Sequence, residues 1–206
     1  MVCACRLHKI LSLALEQMGK KLAKIHVPIS IPNDHTGSYI VPIKGVEEIL
    51  RVLGNDEAQV TLMPDKIALE SGPTQLISKL LSGKYPDLSH IIPEKKENSI
   101  ALHREELISL LRQIVLFTPD EASAVRFSFT TGELHLAAMH GEIGEGNVKM
   151  AVNYGGEKLD IAFNPHFFLD ILRHSEDEVV NLNLSHPFNP GLITDSSTAQ
   201  FVLMCP

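Results

Sequence analysis

An α+β fold, built from a repeated strand–helix–antiparallel meander unit, is the class that this sequence predicts. Three observations predict it. Runs with strand-type alternation are interleaved with helical segments that carry one apolar stripe. The order strand, helix, then three strands recurs three times, at a spacing of about 60 residues. Each striped helix has to cover one face of a sheet.

The first copy begins with "GSYIVPIKGVEEILRVL", Gly37 to Leu53. It reads as a strand, a proline and a helix with Val46, Ile49, Leu50 and Leu53 on one face. "AQVTLMPDKIALESGPTQLISKLL" follows as three short strands, broken at Pro64-Asp65 and Gly72-Pro73. The second copy opens with "NSIALHREELISLLRQIVL", where Leu107, Leu110, Leu111 and Ile114 share a helical face. Its strands are "AVRFSFTTGELHLAAM", with a hairpin turn at Thr131-Gly132, and "NVKMAVNY". The third copy opens with "EKLDIAFNPHFFLDILRHS". Asn164 suits the N-cap of its helix and Pro165 the first helical position. Phe168, Ile171 and Leu172 face inward, and "VVNLNLS", "GLITDS" and "AQFVLMCP" close as three strands.

Two such units make one domain. The last two copies fill residues 94–206. The first copy, in residues 1–93, stands with an incomplete companion, "MVCACRLHKILSLALEQMGKKLAKI", which supplies strands and no helix. The front of that domain is expected to be missing. Between the two domains lies "GKYPDLSHIIP", Gly83 to Pro93, an apolar segment punctuated by Gly83, Pro86 and Pro93.

Composition narrows the function classes. With 44% hydrophobic and 21% charged residues, the chain is core-forming and far from disorder. No apolar run approaches the length of a membrane span. Arg6, His8 and Lys9 interrupt the apolar start, so no signal peptide is expected. Cys3, Cys5 and Cys205 form an odd set, which reads as free thiols in a reducing cytoplasm. A net charge of -7 excludes a generally basic nucleic-acid coat and leaves only a local contact surface for DNA.

Catalytic chemistry finds no pattern to rest on. The ten histidines lack metal-type spacing, and Cys3-x-Cys5 lacks a second ligand pair. "GEIGEG", Gly141 to Gly146, is followed by no Lys-Ser/Thr pair and reads as a hairpin loop between strands. The expectation is a non-enzyme without cofactor or metal.

Five stretches in order resemble the bacterial DNA polymerase III beta subunit, the β sliding clamp. "YIVPIKGVEEILRVL" is similar to the second helix of that family's middle domain, and "LISKLLSGKYPDLSHIIP" to the end of that domain. "LHREELISLLRQIVLFTPDEASAVRFSF", "LDIAFNPHFFLDIL" and "AQFVLMCP" are similar to successive pieces of its third domain. The resemblance implies a DNA-clamp fold. It also implies a processivity factor that encircles double-stranded DNA without sequence preference and tethers polymerase and clamp-loader subunits through short linear motifs. A homo-oligomeric ring, a cytoplasmic location and no membrane contact follow from the same resemblance.

Its peptide pocket carries over residue by residue. "QMGKKLA", Gln17 to Ala23, stands at a pocket-wall turn, with Gly19 and Leu22 matching and Lys21 replacing an arginine, which keeps the charge but loses the planar fork. Pro86 and Ile91 match pocket positions, and His90 stands where arginine is common. Asn164 and Phe167 match the start of the third-domain helix. Phe188 and Pro190 match a bordering loop, and Val202, Leu203 and Met204 match the final strand. Lys20 and Lys44 are implied to face DNA, with Arg104 and Arg112 as weaker candidates. Leu116 and Phe117 are implied to meet the next subunit.

Three readings stay open on the residues alone. The chain is a partial clamp that tethers partners to DNA, a non-ring peptide-binding adaptor or decoy, or a non-functional clamp remnant.

Overall fold

The computed structural model describes residues 2–8, 10–17, 21–28, 37–53, 57–85, 92, 99–118, 124–184, 189–196 and 200–203. Of these, 2–17, 21, 28, 200 and 203 are described by backbone alone. The chain divides into two compact units, residues 1–18 with 22–87, and residues 19–21 with 88–206.

In the first unit the strands β1 (Val2–His8), β2 (Ile10–Gln17) and β3 (Lys21–Pro28) form a meander. β4 (Gly37–Pro42) pairs antiparallel with the other edge of β1, placing Val41 opposite Cys3. The order is β4-β1-β2-β3. Helix α1 (Ile43–Leu53) leads into β5 (Gln59–Leu62), β6 (Lys66–Ser71) and β7 (Thr74–Lys79), a second antiparallel sheet. The breaks fall where the sequence places them, at Pro64-Asp65 and at Gly72-Pro73, and Gly72 takes φ +54.

α1 packs on β7 and β6 and on β4 and β1. It lies close on β7 at Gly45, where a Cβ would lie 2.6 Å from Ser78 Oγ. This contact line corrects one expectation. Val46, Ile49 and Leu53 are half-buried, but Leu50 is 67% exposed. Five residues beyond Gly45 turn the helix by about 140° from the contact, so Leu50 points away from it.

The second unit holds two complete copies. The first is β8 (Ser99–His103), α2 (Arg104–Val115), β9 (Val125–Thr130), β10 (Glu133–His140) and β11 (Gly144–Ala151). The second is β12 (Leu159–Phe163), α3 (Pro165–His174), β13 (Val179–Asn183), β14 (Gly191–Thr194) and β15 (Gln200–Leu203). Each copy gives its leading strand to the other copy's meander. β12 pairs with β9, Ile161 opposite Phe127, and β8 pairs with β13, Leu102 opposite Val180. The orders are therefore β11-β10-β9-β12 and β15-β14-β13-β8. α2 and α3 pack against each other.

The core follows the sequence periods. Leu107, Leu111 and Ile114 of the expected stripe are buried, Leu110 packs at its margin, and Ile108 joins it. Phe168, Ile171 and Leu172 are buried on α3. Phe127 of β9, Phe163 of β12 and Phe168 of α3 form an aromatic trio with centroids 5.5, 4.9 and 5.3 Å apart. Two contacts are edge-on and one is stacked, geometries that add about 0.5–1.5 kcal/mol each beyond burial.

The glycine-rich stretch departs from expectation. The turn occupies only residues 141–143, and Gly144, Glu145 and Gly146 already belong to β11, with Gly144 paired to His140. β11 ends at Ala151 instead of running on to Tyr154. Gly146 is required for packing, because any Cβ there would collide with the Phe117 ring. The Thr131-Gly132 turn forms as expected, with Gly132 at φ +80. Gly132 N–H donates to Tyr154 O at 2.9 Å and its carbonyl accepts from Val152 N–H at 3.0 Å.

Arg104 joins the two copies at their helices. Its Nε donates to Asp177 O at 2.8 Å, its Nη1 to Leu172 O at 3.2 Å, and its backbone N–H to Glu178 O at 2.8 Å. The guanidinium thus satisfies carbonyls around the end of α3, which have no partner inside that helix. Replacing Arg104 by Ala removes charged hydrogen bonds to half-buried carbonyls, and chemical denaturation is expected to show a loss of about 1.5–3 kcal/mol. Arg112→Ala, on the exposed side of α2, is expected to change stability by less than about 0.5 kcal/mol.

Candidate functional site

Two of the residues expected at a dock, Asn164 and Phe167, stand at the start of α3 in the second unit. β12 ends at the buried Phe163, and the next residue, Asn164, stays extended at φ -74 and ψ 118. Its Oδ1 accepts from His166 N–H at 2.9 Å, and Pro165 occupies the first helical turn, where it has no amide to leave unpaired. Asn164 is itself buried. Phe167 is half-buried and packs on the margin of the core, next to the fully buried Phe168.

β14 enters beside this cap. A Cβ on Gly191 would lie 2.9 Å from the Phe163 ring, so the strand's first residue rests on that ring. Pro190, half-buried, immediately precedes it. In register, Gly191 stands opposite Leu203 and Leu192 opposite Val202. α3 also packs on β15. Phe163, just before Asn164, thus touches Gly191, the residue after Pro190 and the register partner of Leu203. Val202 has no exposed surface. Gly191 was not singled out from the sequence, although the Asn189-Pro190-Gly191 run carries the turn signal that could have found it.

The remaining expected residues are placed as follows. In the first unit Leu22 is buried on β3, and Lys44 is exposed at the second position of α1. Lys21 lies in β3 and is described by backbone alone. Gly19, Lys20, Pro86, His90, Ile91, Phe188 and Met204 lie outside the described residues. Leu116 is 72% exposed at the end of α2. Phe117 lies against Gly146 and packs on the core margin. Arg104 spends its guanidinium on backbone carbonyls and on Glu105, at 2.7 Å.

The charged groups with shifted pKa values have structural causes. Asp177 is held below the usual carboxylate range by the Ser196 backbone N–H and then by its hydroxyl. The Ser128 hydroxyl does the same for Asp160, and Lys149 and His135 for Glu133. Burial, then Lys24, lowers His26. Among the described residues no group of three or more His, Cys, Asp or Glu is placed to hold a metal. No helix among them is long and apolar enough to cross a membrane.

Tandem domains of strand–helix–meander copies define a clamp-type α+β protein. The family model for the DNA polymerase III beta subunit, central domain, matches residues 16–87, and that for its C-terminal domain matches residues 89–205. The beta sliding clamp of Chlamydia muridarum is 54% identical over 187 residues, covering 90% of this chain and 51% of the relative. That of Chlamydia pneumoniae is 52% identical over the same length, with 90% and 51% covered. A DnaN sliding clamp from Bartonella birtlesii, solved bound to griselimycin, superposes with a TM-score of 0.92 at 25% identity, covering 100% of this chain and 57% of that one. A sliding clamp from Pseudomonas aeruginosa shares the fold with a TM-score of 0.93 at 24% identity, covering 99% and 57%. The chain belongs to the DNA polymerase III beta subunit family, the beta sliding clamps, and spans about half the length of these relatives.

The two residues at the end of α2 are physically unlike. Phe117→Ala is expected to destabilise the chain by about 1–2 kcal/mol, part of the worth of fully burying such a side chain, because Phe117 is half-buried. Leu116→Ala is expected to cost less than about 0.5 kcal/mol, since it removes an exposed side chain. Urea titrations of both variants check the contrast.

Proposed function

We propose that this chain works as the docking part of a sliding clamp: a non-catalytic platform that holds DNA polymerase and clamp-loader subunits by short linear motifs and follows duplex DNA in the cytoplasm. The observation that carries the reading is the match of two consecutive clamp domains, in order, over residues 16–87 and 89–205. In the second unit, the proposed dock centres on Asn164, Phe167 and Pro190, with Val202 and Leu203 of β15. By resemblance, Gly19, Lys21, Leu22, Pro86, His90, Ile91, Phe188 and Met204 belong to the same proposed set.

The chemistry suits a transient tether. An aromatic face such as Phe167 offers apolar surface to a partner's Leu or Phe, and each anchor buried is worth roughly 1.5–3 kcal/mol. Two or three anchors hold a partner while allowing its exchange. Asn164 is committed to the cap through its Oδ1, so it positions the first turn beneath that face. DNA is held by Lys side chains, Lys44 and Lys20 among them, acting on phosphates without reading bases. The -7 net charge keeps such contact local. Leu116 is proposed to meet a neighbouring subunit in the assembled ring.

Two measurements test this. A fluorescent peptide with a Leu-Phe anchor pair should bind the chain saturably, and Phe167→Ala should weaken it by about tenfold or more, the equivalent of one lost anchor. Absence of binding to the wild-type chain would overturn the docking role. DNA association, followed against salt, should give a linear log–log plot, and Lys44→Ala should lower its slope by about one. Peptide binding with no DNA association at low salt would turn the reading toward a non-ring adaptor.

A further inference from the structure

β8 is an end strand: β13 pairs with one of its edges, and no described strand pairs with the other. The hydrogen-bond phase of that pairing fixes what the other edge presents. Arg104 N–H donates to Glu178 O at 2.8 Å, one step beyond the His103–Val179 couple. In an antiparallel pair, bonded and non-bonded couples alternate along the strand. Leu102 and Ile100 are therefore bonded to β13. The N–H groups of Ser99, Ala101 and His103 point the other way, as do the carbonyls of Ser99 and Ala101. The His103 carbonyl is instead the first acceptor of α2.

The same residues border an open depression of about 460 Å³. Ala101 and His103 line it together with Val179 of β13 and with Ala151, Val152 and Asn153 at the end of β11. Val179 is 42% exposed. β8 carries no Pro and no Lys, Arg, Asp or Glu, the residues with which an edge repels an added strand. Charge is concentrated at one end. His103 Nε2 lies 3.2 Å from Glu178 Oε1, and the Glu178 side chain is 82% exposed. Among the described residues this is the one ionic contact that Glu178 makes. Glu105 and Glu106 follow in the first turn of α2.

We propose that the free edge of β8 and the depression beside it receive an extended segment of a separate protein, one that alternates small apolar residues and begins with a lysine or arginine. The edge offers donors and acceptors two residues apart, the spacing that an added antiparallel strand answers. Occupant residues opposite Ala101 and His103 place their side chains on the face that those two share. A valine opposite Ala101 meets the apolar lining, and a cation opposite His103 reaches Glu178. An acidic segment would instead face Glu178, Glu105 and Glu106. A second copy of β8, laid antiparallel about Ala101, would bring Ser99 rather than a cation to that end. The proposal uses none of Asn164, Phe167 or Lys44, so it stands or falls separately from the docking and DNA roles proposed above.

The test uses the full chain, isotopically labelled, and a capped synthetic peptide as long as β8, lysine-threonine-valine-threonine-valine. Amide exchange is followed residue by residue by NMR, with residues 125–130 of β9 as the internal control for folding. In the free chain Ala101 and His103 are expected to exchange faster than Ile100 and Leu102 by about tenfold or more. Saturating peptide should slow Ala101 and His103 by about tenfold or more and leave 125–130 unchanged. A peptide with proline for both valines, which lacks the N–H donors, should lose the effect, as should one with glutamate for lysine. Two chain variants should lose it too. Ala101→Pro, read at His103, removes an outward N–H that β13 does not use, and Val179→Lys, at an exposed position, fills the depression and repels the cation. Unchanged exchange with the peptide, equal slowing by either control peptide, or full slowing in the Val179→Lys chain each overturns the proposal. So does exchange at Ala101 and His103 that is already slow in the free chain and quickens on dilution, which assigns the edge to a second copy.

Discussion

The exchange of leading strands between copies is the constraint on which the second unit depends. β8 and α2 are neighbours in sequence, yet β8 completes the sheet of the other copy through β13. β12 does the reverse through β9. Neither copy can close its sheet alone, so the two fold as one core. The aromatic trio sits on this crossing, with Phe127 from one copy and Phe163 and Phe168 from the other. Arg104 ties the crossing at its other end by bonding the carbonyls of Leu172 and Asp177. Pairing residues 99–103 with 179–183 closes a long loop, which makes assembly slow relative to helix formation.

The candidate dock inherits its rigidity from the same crossing. Asn164 is the hinge between β12, held in the partner copy's sheet, and α3, held in the shared core. Phe163 before it is fixed by the trio and by Gly191 of β14. Phe167, one turn along, is therefore presented from a position that cannot drift without disturbing the core. Docking residues on such supported elements keep a partner's anchors within reach at little ordering cost.

Much of this was legible in the residues. The strand breaks at Pro64-Asp65 and Gly72-Pro73, the turn at Thr131-Gly132 and the Asn164-Pro165 cap are local chemistry, and they fall where the turn and cap residues stand. The stripe through Leu107, Leu111 and Ile114 is a period that packing had only to accept. The misses share a cause. Gly144 to Gly146 has the composition of a loop, but Gly146 is small because Phe117, 29 positions earlier in the chain, lies over it. Leu50 fits the apolar period of α1, but the helix settles on Gly45 and turns Leu50 outward. Arg104 has the look of an exposed helix charge until the end of α3 is seen beside it.

The sequence by itself determined the order of strands and helices, the two-copy plan of the second unit, and the resemblance that named the family. Those are properties of short windows: side-chain period, turn conformation, capping chemistry and motif text. Only the tertiary structure decided which strand completes which meander, and that Phe117 packs on the core margin while Leu116 stays exposed. A strand's edge carries the same N–H and C=O groups whatever its sequence. Its partner is therefore chosen by which faces can be buried together, and that choice exists only once the whole core is assembled.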